Sequence, residues 1–67
     1  MEKGWEKIYE TPSELKIEIA RQILDDNEIE AVILNRKDSI YQIGDIEIFV
    51  RRDDILKAKQ ALKGLES

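Results

Sequence analysis

The chain contains no cysteine and no histidine. Disulfides, thiolate nucleophiles, imidazole acid–base catalysis and zinc sites of the usual Cys/His kinds are therefore excluded. It also lacks any apolar run near the roughly 20 residues that a membrane span needs. The opening Met1-Glu2-Lys3-Gly4 has none of the apolar character of a secretion signal. Positive charge is in deficit: the formal net charge is -4 with 39% charged residues, which disfavours nonspecific attraction to nucleic acid or anionic lipid. The expectations that follow are a cytoplasmic protein with no membrane or nucleic-acid partner, no cofactor and no metal. At 67 residues the chain reads as one domain, residues 1–67, with an ordered core over about 5–65. A domain of this size buries only about 60% of the surface its unfolded chain exposes, so its stability is modest.

What is present is a hairpin. From Asn35 to Val50 a polar loop leads into a strict alternation of Ile46, Ile48 and Val50 with Glu47, Phe49 and Arg51, the pattern of a strand with one buried face. Before it, Trp5 to Glu10 is short, aromatic and β-prone, and Thr11-Pro12-Ser13-Glu14 reads as a helix start. Thr11 with Glu14 forms a capping box and Pro12 takes the first helical position. Leu15, Ile19, Ala20, Ile23 and Leu24 then recur at helical spacing, with Ile17 at the margin of the stripe. Asn27 is the expected left-handed cap, and Ile29 to Leu34 a second strand. Asp53 or Asp54 is expected to cap a second helix with Ile55, Ala58, Leu62 and Leu65 on one face, ended by Gly64. The expected core is Ile19, Ile23, Leu24, Val32, Ile46, Ile48, Val50, Ala58 and Leu62. There is no internal repeat, linker or low-complexity tract.

The order strand, helix, strand, strand, helix places the third strand between the first two, antiparallel to both. The expected fold class is α+β: a two-layer βαββα sandwich, ferredoxin-like but lacking the last strand, with a three-stranded sheet and two helices on one face. Such a sheet leaves its first strand with an unpaired edge and its second face without helix cover.

The motifs Trp5-x-x-Ile8-Tyr9-x-Thr11, Ile19-Ala20-x-x-Ile23-Leu24, Asn27-x-Ile29-x-Ala31-Val32, Asn35-x-x-Asp38-Ser39-x-Tyr41 and Gly44-x-Ile46-Glu47-Ile48-x-Val50, with Ala58 in the last helix, resemble a known family. It is the putative prokaryotic signal-transducing protein family, a small domain grouped by fold with PII-like signalling proteins. The resemblance spans about Trp5 to Leu65. It implies regulation through binding and carries no catalytic residues. Where the family often has glycine after the first helix, this chain has Asn27 followed by Glu28.

Two candidate sites emerge from the pattern. By strand alternation Trp5, Tyr9 and Phe49 are expected on the sheet face away from the helices, and an apolar patch there marks an interaction surface. The second candidate gathers Thr11, Ser13, Asn35, Arg36, Lys37, Asp38 and Ser39 where the first helix begins beside the hairpin loop. Helix amides and two cations there suit a small anionic metabolite. Aromatic residues on an open sheet also suit RNA, but Glu6, Glu10 and Glu47 beside them and the negative charge oppose that reading. Asp25, Asp26 and Glu28 match no calcium-loop spacing. No carboxylate has a partner nucleophile or base, so no enzyme is expected.

The expected function is thus a small non-catalytic regulatory or protein-interaction module, acting through the open sheet face and hairpin loop. Its expected partner is another protein, or a second copy in a weak homodimer through the sheet edge or face. A sensor of a small anionic ligand is the alternative.

Overall fold

The computed structural model describes residues 4–36 and 45–66. It contains β1 (Trp5–Thr11), α1 (Glu14–Asp26), β2 (Ala31–Asn35), β3 (Ile46–Arg51), a 3-10 turn (Arg52–Asp54), α2 (Ile55–Ala61) and a final helical turn, α3 (Lys63–Glu66). The strands form a sheet of order β1-β3-β2, with β3 antiparallel to both neighbours. This is the expected α+β arrangement, of ferredoxin-like type, with three strands among the described residues.

Ile46, Ile48 and Val50 of β3 form one core with Ile17, Ala20 and Leu24 of α1, Ile29, Ala58 of α2 and Leu62. Both helices therefore lie on the even-numbered face of β3. The stripe of α1 that turns inward is rotated from the expected one. Ile17 is buried, whereas Ile19 and Leu15 are 41% and 71% exposed. Apolar residues at 15, 17, 19, 20, 23 and 24 are too many for one wedge of a helix, and Ile17, Ala20 and Leu24 form the compact i, i+3, i+7 set. Val32, expected in the core, pairs with Phe49 and lies on the other sheet face.

The helix ends also differ from expectation. Ser13, not Thr11, is the N-cap of α1: its Oγ accepts from the Lys16 N–H at 3.2 Å. Thr11 Oγ1 instead accepts from the Ser13 N–H at 3.2 Å, so Pro12 stands before the cap rather than inside the helix. At the other end Asn27 has φ -98, and the left-handed position falls on Glu28 with φ 59. The Glu28 N–H donates to the Asp25 carbonyl at 3.0 Å and the Ile29 N–H to the Leu24 carbonyl at 2.9 Å. That pair of bonds is the Schellman motif, with Ile29 and Leu24 as its apolar contact. Because the chain is still turning at Ile29, β2 begins only at Ala31. Asp54 precedes α2 without a side-chain capping bond. Leu62 interrupts the last helix, and Gly64 lies within the helical turn that follows.

Candidate interaction face

The register between β1 and β3 decides which side chains share the sheet face opposite the helices. Trp5 pairs with Arg51, Glu6 with Val50 and Lys7 with Phe49, after which the pairing slips so that Tyr9 meets Ile48, Glu10 meets Glu47 and Thr11 meets Ile46. Ile8 is the extra residue of a β-bulge, and beyond it the parity of β1 is reversed. Directly opposed residues point to one face. Tyr9 consequently joins Ile48 on the helix side, and both Ile8 and Tyr9 pack against the core. The expectation that Tyr9 shares a face with Trp5 and Phe49 is corrected on this ground: an unbroken alternation does not survive the bulge.

The open face is built from three cross-strand rows. Trp5 and Arg51, with Glu30 joined to Arg51 by an ion pair, form one, Val32, Phe49 and Lys7 the next, and Leu34, Glu47 and Glu10 the third. Val32 and Leu34 were absent from the sequence-based site. Their signal was available, since a hairpin with known parity on β3 fixes the parity of β2. Phe49 stands at the centre and is only 9% exposed, although no helix or strand among the described residues lies over this face. Its cross-strand neighbours Lys7 and Val32 flank it, and a long aliphatic stem such as that of lysine covers apolar surface while its charge stays in water.

Charges organise the margins of the patch. The Arg51 guanidinium lies 5.0 Å from the centroid of the Trp5 ring, within cation–π range, and also bonds Glu30 at 3.0 Å. Glu47 is the hub of the third row. It accepts from Arg36 Nε at 2.6 Å and from Lys7 Nζ at 3.4 Å, and Lys7 reaches on to Glu10 at 3.2 Å. The Arg36 hydrogen bond holds the Glu47 carboxyl below the usual carboxylate range, with Lys7 assisting. Lys7 in turn is held above the ordinary lysine value, chiefly by its hydrogen bond to Glu10.

The same ion pairs bear on the second candidate site. Arg36 engages Glu47 on the open face, whereas α1 and Thr11 lie on the helix side of the sheet. Thr11 and Ser13 spend their acceptors on the chain itself. Asn35 lines a shallow depression of about 280 Å³ with Glu14, Ile17, Glu18, Ile33 and Ile46, and its two carboxylates give it the wrong sign for an anion. Lys37, Asp38 and Ser39 lie outside the described residues. The structure thus brings Thr11, Ser13 and Asn35 to one end of the sheet but turns Arg36 away from them. Among the described residues no group of three or more His, Cys, Asp or Glu side chains is placed to hold a metal ion, and no helix is long and apolar enough to cross a membrane.

Comparison with curated proteins returns no significant match, and comparison with solved structures returns none either. A family model does match, over residues 5–66 and so from the first residue of β1 to the end of α3, and the chain belongs to the family described as putative prokaryotic signal transducing protein.

Proposed function

We propose that the chain is a small non-catalytic module of cytoplasmic signalling that works by holding a protein partner against its open sheet face. The family description supplies the coarse function, signal transduction. The observation that carries the finer reading is the register: Trp5, Val32, Leu34 and Phe49 share the sheet face opposite both helices, without cover from any described helix or strand. A rigid sheet presenting two aromatic and two aliphatic side chains inside a rim of paired charges has the composition of a recognition surface, apolar at the centre and polar at the margin. Binding rather than chemistry is supported by the absence of histidine and cysteine and by ion pairs that engage Glu10, Glu18, Glu30 and Glu47 with neighbouring cations.

The test is quantitative capture from native cytoplasm by the immobilised chain and by three variants. Trp5→Ser and Leu34→Ser should each reduce the captured partner several-fold. Leu56→Ser, at an 83% exposed position of α2, should leave capture unchanged. Undiminished capture by the two sheet variants refutes the assignment of the face.

A further inference from the structure

The two edges of the sheet are unlike. The β1 edge carries Glu6, Lys7 and Glu10 and is bent by the bulge at Ile8, all of them devices that discourage a further strand from pairing. The β2 edge is Ala31-Val32-Ile33-Leu34-Asn35, with no charge and no proline, in unbroken register with β3 and half-buried over its first four residues. No described strand lies beyond it. Element order alone points to the β1 edge for pairing, whereas the charges and the bulge on β1 leave β2 as the flatter, uncharged edge.

Backbone parity shows how β2 is presented. The Arg36 N–H donates to the Asp45 carbonyl at 3.1 Å, so the residues of β2 that share the parity of Arg36, namely Val32 and Leu34, turn their backbone groups toward β3. Ala31 and Ile33 turn theirs outward, away from the sheet. We propose that a second copy of this chain pairs along β2, antiparallel, with Ile33 opposite Ile33 of the second copy.

This register is selected by charge. It sets Val32 opposite Leu34 of the second copy, and Glu30 opposite Arg36 of the second copy, the last pair occurring twice through the two-fold axis. Sliding one hydrogen-bonding step in either direction sets Glu30 against Leu34 or Arg36 against Val32, which leaves a charge facing an aliphatic side chain. Glu30 and Arg36 are exposed and lie on the open face, where each already holds one ion-pair partner, Arg51 and Glu47 respectively. In the dimer each gains a second partner of opposite sign. The product is a six-stranded sheet with all helices on one side, and it joins the two open faces through Val32 and Leu34. With a formal net charge of -4 on each chain, the association is weak and its strength depends on salt.

The experiment is sedimentation equilibrium of the full chain together with backbone amide shifts recorded across a wide concentration range. Concentration-dependent shifts should concentrate on Ala31–Asn35 and spare Trp5–Thr11. Glu30→Arg alone and Arg36→Glu alone each convert both charge pairs to repulsion, and each should weaken self-association by roughly tenfold or more. An equimolar mixture of the two variants restores opposite charges at both ends and should recover association at the wild-type level. Amide spectra of each variant establish that it is folded. A chain that stays monomeric up to about 1 mM overturns the proposal. So do shifts centred on β1, a mixture that associates no better than its components, or a β2 edge that pairs with a foreign strand but not with its own copy. Because Trp5 belongs to β1, across β3 from this edge, and makes none of the proposed contacts between copies, Trp5→Ser should dimerise normally, which separates this inference from the partner-binding role of the face.

Discussion

Glu28 holds a conformation that suits glycine. With φ 59 it is the sole non-glycine residue at positive φ among the described residues, and its place in the Schellman motif fixes it there through the bonds of Glu28 to Asp25 and of Ile29 to Leu24. A residue with a Cβ pays about 1–2 kcal/mol in the left-handed region. Glycine removes that strain but gives back roughly 0.5–1 kcal/mol through the greater freedom of its unfolded chain. Glu28→Gly should therefore stabilise the fold by a net ~0.5–1 kcal/mol. For a domain this small that corresponds to a rise of about 3–7 °C in Tm, or about 0.5–1 M in the urea midpoint at an unchanged slope. Charge is a competing cause, because Glu28 stands with Asp25 and Asp26 at a helix C-terminus, where negative charge opposes the helix dipole. Glu28→Gln isolates that contribution: it removes the charge and keeps the strained backbone, and it should gain only a few tenths of a kcal/mol. Thermal and urea unfolding of both variants decide between the causes. Equal stabilisation by Gln and Gly refutes the strain argument, and a loss of stability in Glu28→Gly refutes the assignment of the left-handed position itself.

Ile48→Ala, at the fully buried centre of β3, should cost ~2–5 kcal/mol by leaving a cavity, and urea titration should find much of the variant unfolded near room temperature. Ser13→Ala should cost about 1 kcal/mol through the lost cap of the Lys16 amide, measured the same way. The Glu47 carboxyl has its pKa lowered from 4.5 in the folded state, so it binds protons less readily folded than unfolded. Its stabilising contribution is complete above pH 4.5 and is lost as the pH falls below that value through the folded pKa. Glu47→Gln should flatten the acid limb of the stability curve, as followed by thermal melts from pH 6 down to about pH 3.

Much of the fold was legible from periodicity. The alternation of Ile46, Ile48 and Val50 against Glu47, Phe49 and Arg51 identified the central strand, and the element order then placed it between the other two. Where reading failed, one local event had more than one solution of similar cost. Thr11 and Ser13 both precede Glu14, and the capping box at Thr11 looks as good on paper as the cap actually made by Ser13. Six apolar residues in α1 offered two overlapping stripes, and only packing against the sheet chose Ile17 over Ile19. The bulge was the hardest case. Ile8 is an ordinary strand residue, no glycine announces the irregularity, and yet it moves Tyr9 from the candidate face to the core. Trp5 and Phe49 stayed on the face because they precede the bulge or belong to the regular strand. Arg36 was assigned to the helix start because the first and second strands run parallel and both finish at that end of the sheet, whereas strand parity sends it to Glu47 on the other side of the sheet.

The ion-pair row across the open face has a consequence for how the chain finds its native pairing. Hydrophobic alternation on β3 forbids a slip by one residue but is nearly blind to a slip by two, since Ile46, Ile48 and Val50 are interchangeable in the core. Glu47 and Arg51 are not interchangeable. A two-residue slip carries Glu47 out of the gap between Arg36 and Lys7 and carries Arg51 away from Glu30 and Trp5. These exposed pairs add little to the depth of the native minimum, but they raise its mispaired neighbours and so act as a proofreading code written on the outside of the sheet. Neutralising both Glu47 and Arg51 should leave the native state nearly as stable while multi-phase refolding reveals chains delayed in wrong registers.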